Sequence, residues 1–328
     1  MLPLFFIFFG SFIFVVSALQ FFKRRKENKG FFPRGGGLVL SLVSLFILTV
    51  IFFGGNFFGI RAKDYWSILI AQLIIIGGGS WDDRRGLSPI YQLGYQVLAI
   101  LFLVLAGDLI NHVQIPLLGI TELPFWINIL LTFFWFLVVL NSFNWFDGLN
   151  GLAGGSAVLS LAALFWINFF SLTSQADVTA MIAVTVGVTA GFLLFNFKGE
   201  IQLGTAGSGF LGLLLALFSV YLGGKVAAAA FILALPVLDF FWVCFLRIKN
   251  GERPWQGGDR RHLHYYLIDK GWRKDSVVSF FYFGNFILGI LAFLIQGILN
   301  WSSFFFLVAV LGLILGGQAT RDCLRFKK

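Results

Sequence analysis

The chain has 328 residues, of which 59% are hydrophobic and only 12% charged. Soluble domains carry about 25% charged residues, so a soluble globule is excluded, and the high apolar content excludes a disordered chain. The net charge of +9 reads on so apolar a chain as the positive-inside bias of a membrane protein, not as a nucleic-acid surface.

A membrane span needs about 20 mostly apolar residues. Eleven segments fit: 3–22, 38–54, 66–80, 93–107, 124–141, 150–170, 177–195, 207–223, 225–246, 276–296 and 301–318. Segment 3–22 lacks a basic n-region and a small-x-small cleavage site, so it reads as the first span and not as a signal peptide. The reading predicts an all-α, polytopic transmembrane bundle of about 11 helices, forming one domain over 1–328. With the loops placed alternately, 21 of the 24 Lys and Arg fall on one side. That puts the N-terminus outside and the C-terminus in the cytoplasm. The longest outer loop, 108–123, suits a small hairpin. The same inner side holds ten of the fifteen carboxylates and two of the three histidines, so any chemistry is expected there. Cys244 and Cys323 supply neither a disulfide framework nor a Cys-based metal site.

The inner loops carry the polar constellations. Asp82-Asp83-Arg84-Arg85 ends the third span; adjacent carboxylates repel unless a cation or donors share them. It is either a solvated turn or a site for Mg²⁺ or a phosphoryl group. Asn141, Asn144 and Asp147 are three apart and would form one polar stripe on a helix. Asn144 and Asp147 offer hard oxygens suited to Mg²⁺, or else cap two helices, with Gly148 and Gly151 turning the chain. Asn196 precedes a Gly-rich turn through Gly204, Thr205 and Ser208. Free N–H groups opening a helix there would favour a phosphate; close helix packing is the alternative. Asp259-Arg260-Arg261-His262-Leu263-His264 has too few Cys and His partners for zinc and instead makes a donor-rich patch for phosphate, or simply positive-inside charge. Pro33-Arg34-Gly35-Gly36-Gly37 is a flexible turn or a substrate contact. Asp239 is the one carboxylate well inside a span and should face the protein interior. No polar motif repeats, which disfavours a transporter built from duplicated halves.

Together, in order, these motifs resemble the polyprenyl-phosphate N-acetylhexosamine-1-phosphate transferase superfamily. The resemblance runs from the Pro-Arg-x-Gly-Gly segment through 79–96 (GSWDDRRGLSPIYQLGYQ), 141–155 (NSFNWFDGLNGLAGG) and 195–212 (FNFKGEIQLGTAGSGFLG) to 259–271 (DRRHLHYYLIDKG). It implies an enzyme moving N-acetylhexosamine-1-phosphate from a UDP-N-acetylhexosamine to a polyprenyl phosphate such as undecaprenyl phosphate. UMP would be released, initiating a cell-envelope polysaccharide such as lipopolysaccharide or cell wall. The site would face the cytoplasm across the cell membrane. Mg²⁺ is the implied cofactor, with Asp82, Asp83, Asn144 and Asp147 as its ligands. The resemblance assigns catalytic roles to Asp82, Asp83, Asp147, His262 and His264. It assigns substrate contacts to Arg34, Asn141, Asn144, Asn196, Gly204, Thr205, Ser208, Asp259, Arg260 and Arg261. A homodimer is within the family's range, and the His-x-His spacing points to UDP-GlcNAc. The chain departs from the family pattern at Thr205 (usually Asp), Gln92 (usually Lys), Asn150 (usually Asp) and Tyr265 (usually His). The rival reading is a catalytically impaired member that binds lipid phosphate or nucleotide sugar.

Overall fold

The computed structural model describes residues 2–26, 35–53, 62–115, 119–171, 175–222, 226–255 and 260–294. Its helices are α1 (Leu2–Lys26), α2 (Gly35–Phe53), α3 (Ala62–Arg85), α4 (Pro89–Ala106), α5 (Phe125–Phe146), α6 (Leu152–Phe169) and α7 (Ala176–Asn196). They continue with α8 (Gly204–Tyr221), α9 (Val226–Ile232), α10 (Ala234–Lys249), α11 (Leu263–Asp269) and α12 (Lys274–Leu294). Between α4 and α5 lies the expected hairpin, β1 (His112–Ile115) paired antiparallel with β2 (Gly119–Glu122), His112 opposite Glu122. Everything else described is helix and turn, as an all-α membrane protein requires, because only self-satisfied backbones cross lipid.

Among the described residues, eight helices are long and apolar enough to span a bilayer: α1, α2, α4 to α8 and α12. The third expected span, α3, is long enough, but Lys63, Asp64 and the run from Asp82 to Arg85 charge both its ends. The ninth, 225–246, is not one helix: it breaks at Leu233, between α9 and α10. Pro236 accounts for the position of the break. It has no N–H to continue a ladder, but it is tolerated in the first turn of a new helix, where N–H groups have no intrahelical partner. The eleventh expected span, Arg34 and Asp259 lie outside the described residues.

The molecule is apolar on both its inside and its outside. Phe136, Phe143, Phe146, Phe210 and Phe218 are fully buried, while large apolar side chains such as Phe6, Leu105, Leu130 and Phe283 remain exposed on the outer helices. Because lipid is as apolar as Leu, helix association rests on close packing and polar contacts. Buried hydroxyls are returned to their own helices: Ser41, Ser142, Thr185 and Thr189 each donate to the carbonyl four residues back.

α8 is the central post, packed on α2, α3, α5 and α6. Glycines let two neighbours reach its first turn. A Cβ on Gly37 would lie 1.9 Å from the Leu203 carbonyl oxygen, and one on Gly79 would lie 2.6 Å from Ala206 Cα. The start of α2 and the end of α3 therefore meet the start of α8 at one end of the bundle. At the opposite end, Asp108 accepts from Ser67 (3.2 Å) and Tyr221 (3.0 Å), tying α3 and α8 beside the hairpin.

Candidate active site

Asp83 follows Gly79 by four residues, about one helical turn, so the close approach at Gly79 aims it at the start of α8. Its Oδ1 accepts from Thr205 N (2.8 Å) and its Oδ2 from Ala206 N (3.1 Å). Gly204 N donates to Asp147 Oδ2 at 3.1 Å. Gly204 has φ +66°, and a Cβ there would lie 2.7 Å from the Asp83 carboxylate. Only glycine fits both the left-handed backbone and the space. The amides expected to receive a phosphate are thus already occupied. Two carboxylates take the positive end of α8 instead.

Asp82, in contrast, is held by three donors. Leu87 N (2.6 Å) and the Gln92 amide (3.0 Å) donate to Oδ1, and the Thr205 hydroxyl (2.7 Å) donates to Oδ2. Two of the four departures from the family pattern, Thr205 and Gln92, therefore converge on one carboxylate.

The stripe of Asn141, Asn144 and Asp147 fans out. Each three-residue step falls about 60° short of a turn, and α5 ends at Phe146, leaving Asp147 as its C-cap. Asn141 pairs with Gln96 of α4 (2.9 Å), Asn144 accepts from Ser208 of α8 (3.1 Å), and Asp147 meets Gly204. Asn196 joins two loops, accepting from Gly151 N (2.7 Å) and donating to the Ile201 carbonyl (2.8 Å).

These contacts border a cavity of about 280 Å³ lined by Asp83, Asn144, Asp147, Asn150, Asn196 and Thr205 together with residues 148–149 and 202–204. Three of the sequence motifs meet in it. Asp82, Asn141 and Ser208 stand behind the lining, bonded to it or to its supports.

The histidine motif is adjacent and buried. His262 Nδ1 lies 2.7 Å from Asp239 Oδ2, and Leu263 N donates to Asp239 Oδ1 at 2.7 Å. His264 is fully buried, with neither ring nitrogen hydrogen-bonded. A Cβ on Gly148 would fall 2.1 Å from its Nε2. Burial pushes the His264 pKa down to about 4, against the opposing pull of Asp239. Arg260 is exposed and pairs with Asp269 (2.9 Å), and Arg261 pairs with Glu252; neither lines the cavity. The residues that sequence reasoning passed over are Gln96 and Tyr282, whose hydroxyl donates to the Gly151 carbonyl. Gln92 and Gln96, one turn apart on an otherwise apolar helix, were the legible signal for the first.

Among the described residues, no three His, Cys, Asp or Glu side chains converge on a point that could hold a metal ion. The lining does fit Mg²⁺ in its usual form, one or two carboxylates with the remaining positions left to water and substrate phosphate. Asp83 and Asp147 would supply the carboxylates and Asn144 a neutral oxygen. Among the described residues the lining contains no Lys or Arg, so a cation between a diphosphate and these acids would offset their repulsion.

Fold and site together define a polytopic helical membrane protein with an acidic, hard-oxygen cavity at one end of its bundle. The profile of glycosyl transferase family 4 matches residues 65–223, which include every lining residue. The chain is 27% identical to a probable undecaprenyl-phosphate N-acetylglucosaminyl 1-phosphate transferase of Bacillus subtilis, over 86% of this chain and 78% of that one. It is 29% identical to a decaprenyl-phosphate N-acetylglucosaminephosphotransferase of Mycobacterium leprae, over 80% and 72% of the two chains. An Escherichia coli O157:H7 undecaprenyl-phosphate alpha-N-acetylglucosaminyl 1-phosphate transferase is 23% identical over 75% and 68%. The chain belongs to the polyprenyl-phosphate N-acetylhexosamine-1-phosphate transferase superfamily.

Proposed function

We propose that the protein transfers N-acetylglucosamine-1-phosphate from UDP-GlcNAc to a polyprenyl phosphate in the cell membrane. The observation that carries this reading is the meeting of 82–83, 144–147 and 204–208 at one acid-lined cavity. The names of its relatives specify the substrates: they act on undecaprenyl or decaprenyl phosphate and N-acetylglucosamine phosphate. The bias of 21 of 24 cations to the same side of the sequence supports a cavity that opens to the cytoplasm. The family resemblance also supports a homodimer.

The reaction forms a bond from the lipid phosphate oxygen to the β-phosphorus of the nucleotide sugar and breaks the bond from that phosphorus to the bridging oxygen. UMP leaves with the bridging oxygen, and the lipid keeps the diphospho-sugar. Mg²⁺ bound here would neutralise charge on the diphosphate. A phosphate monoester has its second pKa near 6 and is already largely dianionic at pH 7, so no residue need remove a proton. Asp83 and Asp147 then serve to bind and align. The hydrogen bonds from Thr205, Ala206 and Gly204 fix their positions before substrate arrives, which is where positioning contributes to rate. Asp82 braces the first turn of α8 through Thr205.

The test is UMP release by purified protein in detergent with undecaprenyl phosphate, UDP-GlcNAc and MgCl₂. UMP that requires all three components is expected. Absence of UMP with every UDP-N-acetylhexosamine, while nucleotide sugar still binds, would replace the transferase with a binding-only member of the family.

A further inference from the structure

Asp239 lies in the second turn of α10, 6% exposed, and is absent from the cavity lining. A carboxylate buried in the helical bundle is costly unless fully partnered. Its two oxygens are both used on the histidine loop: one meets His262 Nδ1 and the other receives Leu263 N, each at 2.7 Å. α11 begins at Leu263, and its N-cap residue, His262, has extended dihedrals (φ −65°, ψ 145°) and makes no side-chain cap of its own. The cap comes from α10 instead. A carboxylate only accepts, so His262 must donate from Nδ1, which fixes the tautomer of the neutral ring and leaves Nε2 without the proton.

The loop seated this way reaches the cavity wall. His264 stacks on His262 with ring centroids 5.4 Å apart and planes within 15°. Its Nε2 is pressed against Gly148. The Tyr265 hydroxyl donates to the Gly148 carbonyl at 3.4 Å. Gly148 lines the cavity directly after Asp147. A continuous set of contacts therefore runs from Asp239 through the histidine loop to the turn that carries Asp147.

We propose that Asp239 is a positioning residue: it caps α11, holds His262 as the Nδ1–H tautomer, and so seats His264 and Tyr265 against the turn bearing Asp147. Asp239→Asn separates this role from mere burial. The amide has nearly the same shape and can still accept from Leu263 N, but its NH₂ faces His262 Nδ1 and drives the proton to Nε2.

Two measurements test the proposal on the full-length protein in detergent. The kinetic arm rests on the transferase reading; the spectroscopic arm does not. Imidazole ¹⁵N shifts, assigned with His262→Asn and His264→Leu, should show Nδ1–H at His262 in the wild type and Nε2–H in Asp239→Asn. In UMP release, Asp239→Asn should lower kcat about 10- to 100-fold, the range typical for removing a group that orients a reactive side chain. The double variant Asp239→Asn/His262→Asn should be no slower than the slower single variant, because the two act as a unit. Asp239→Glu should recover part of the loss. An Nε2–H tautomer in the wild type, wild-type kcat in folded Asp239→Asn, or fully multiplying losses in the double variant would each overturn it. If the wild type releases no UMP, the transferase reading fails and the tautomer still decides the role of Asp239.

Discussion

At Asp82 the chain solves a charge problem with neutral groups. A carboxylate 9% exposed accepts from a backbone amide, the Gln92 amide and the Thr205 hydroxyl. Hydrogen bonds to a charged group contribute about 1.5–3 kcal/mol each, so this arrangement holds both the anion and the first turn of α8. Thr205 replaces an acid that the family resemblance leads one to expect, and the structure gives the replacement a definite consequence. Thr205→Asp would put a second carboxylate where a donor now stands 2.7 Å from Asp82. With Gln92 uncharged, nothing in that triad offsets the repulsion. Thr205→Asp alone should therefore lower UMP release at least about tenfold and lower the melting temperature. Adding Gln92→Lys should recover much of both, because its ammonium would reach the same carboxylate. A Thr205→Asp protein that turns over faster than the wild type without Gln92→Lys would contradict this account.

Among the elements, the decisive contact is α3 against α8. Gly77, Gly78 and Gly79 are adjacent, yet each meets something different. A Cβ on Gly77 meets nothing within 4 Å, one on Gly78 meets the Tyr95 ring, and one on Gly79 meets the backbone of Thr205 and Ala206. Backbone cannot step aside as a side-chain tip can, so Gly79→Val must push the helices apart and carry Asp83 off its two amides. UMP release should fall by more than about tenfold and the melting temperature should drop, whereas Gly77→Val should leave both near wild type. Equal effects at the two positions would rule out the close approach as the cause. The sequence showed three glycines in a row but not which one touched a neighbour, since that depends on how α3 is rotated against α8. Spans were legible because they are long and apolar. The break at Leu233 was not, because the apolar run continues across it and only Pro236 marks it.

For the whole molecule, spacing picked out candidate polar residues but not their arrangement. Asp83, Asn144, Asp147, Asn196, Gly204 and Thr205 were all expected at the site, and all border one cavity. What spacing could not show was which of them would face that cavity. His262 and His264 read as a donor patch for phosphate, yet they are buried between α10 and the turn after α5. That placement makes global stability depend on pH. Asp239 and His262 are the ionisable groups acting on His264, and burial outweighs the attraction of Asp239, leaving its pKa near 4 in the fold against 6.5 in an exposed histidine. Between those values the unfolded chain binds a proton that the folded chain refuses. Its stabilising contribution is therefore complete above about pH 6.5 and is lost as the pH falls toward 4, by roughly 3 kcal/mol in full. Melting temperatures in detergent at pH 7.5 and 4.5 should show this drop on top of whatever the carboxylates contribute. His264→Leu retains those carboxylates and removes the imidazole, so its drop should be smaller by several degrees. If the two proteins lose the same melting temperature on acidification, His264 is charged or solvated in the fold, and its packing against Gly148 is not what the protein adopts.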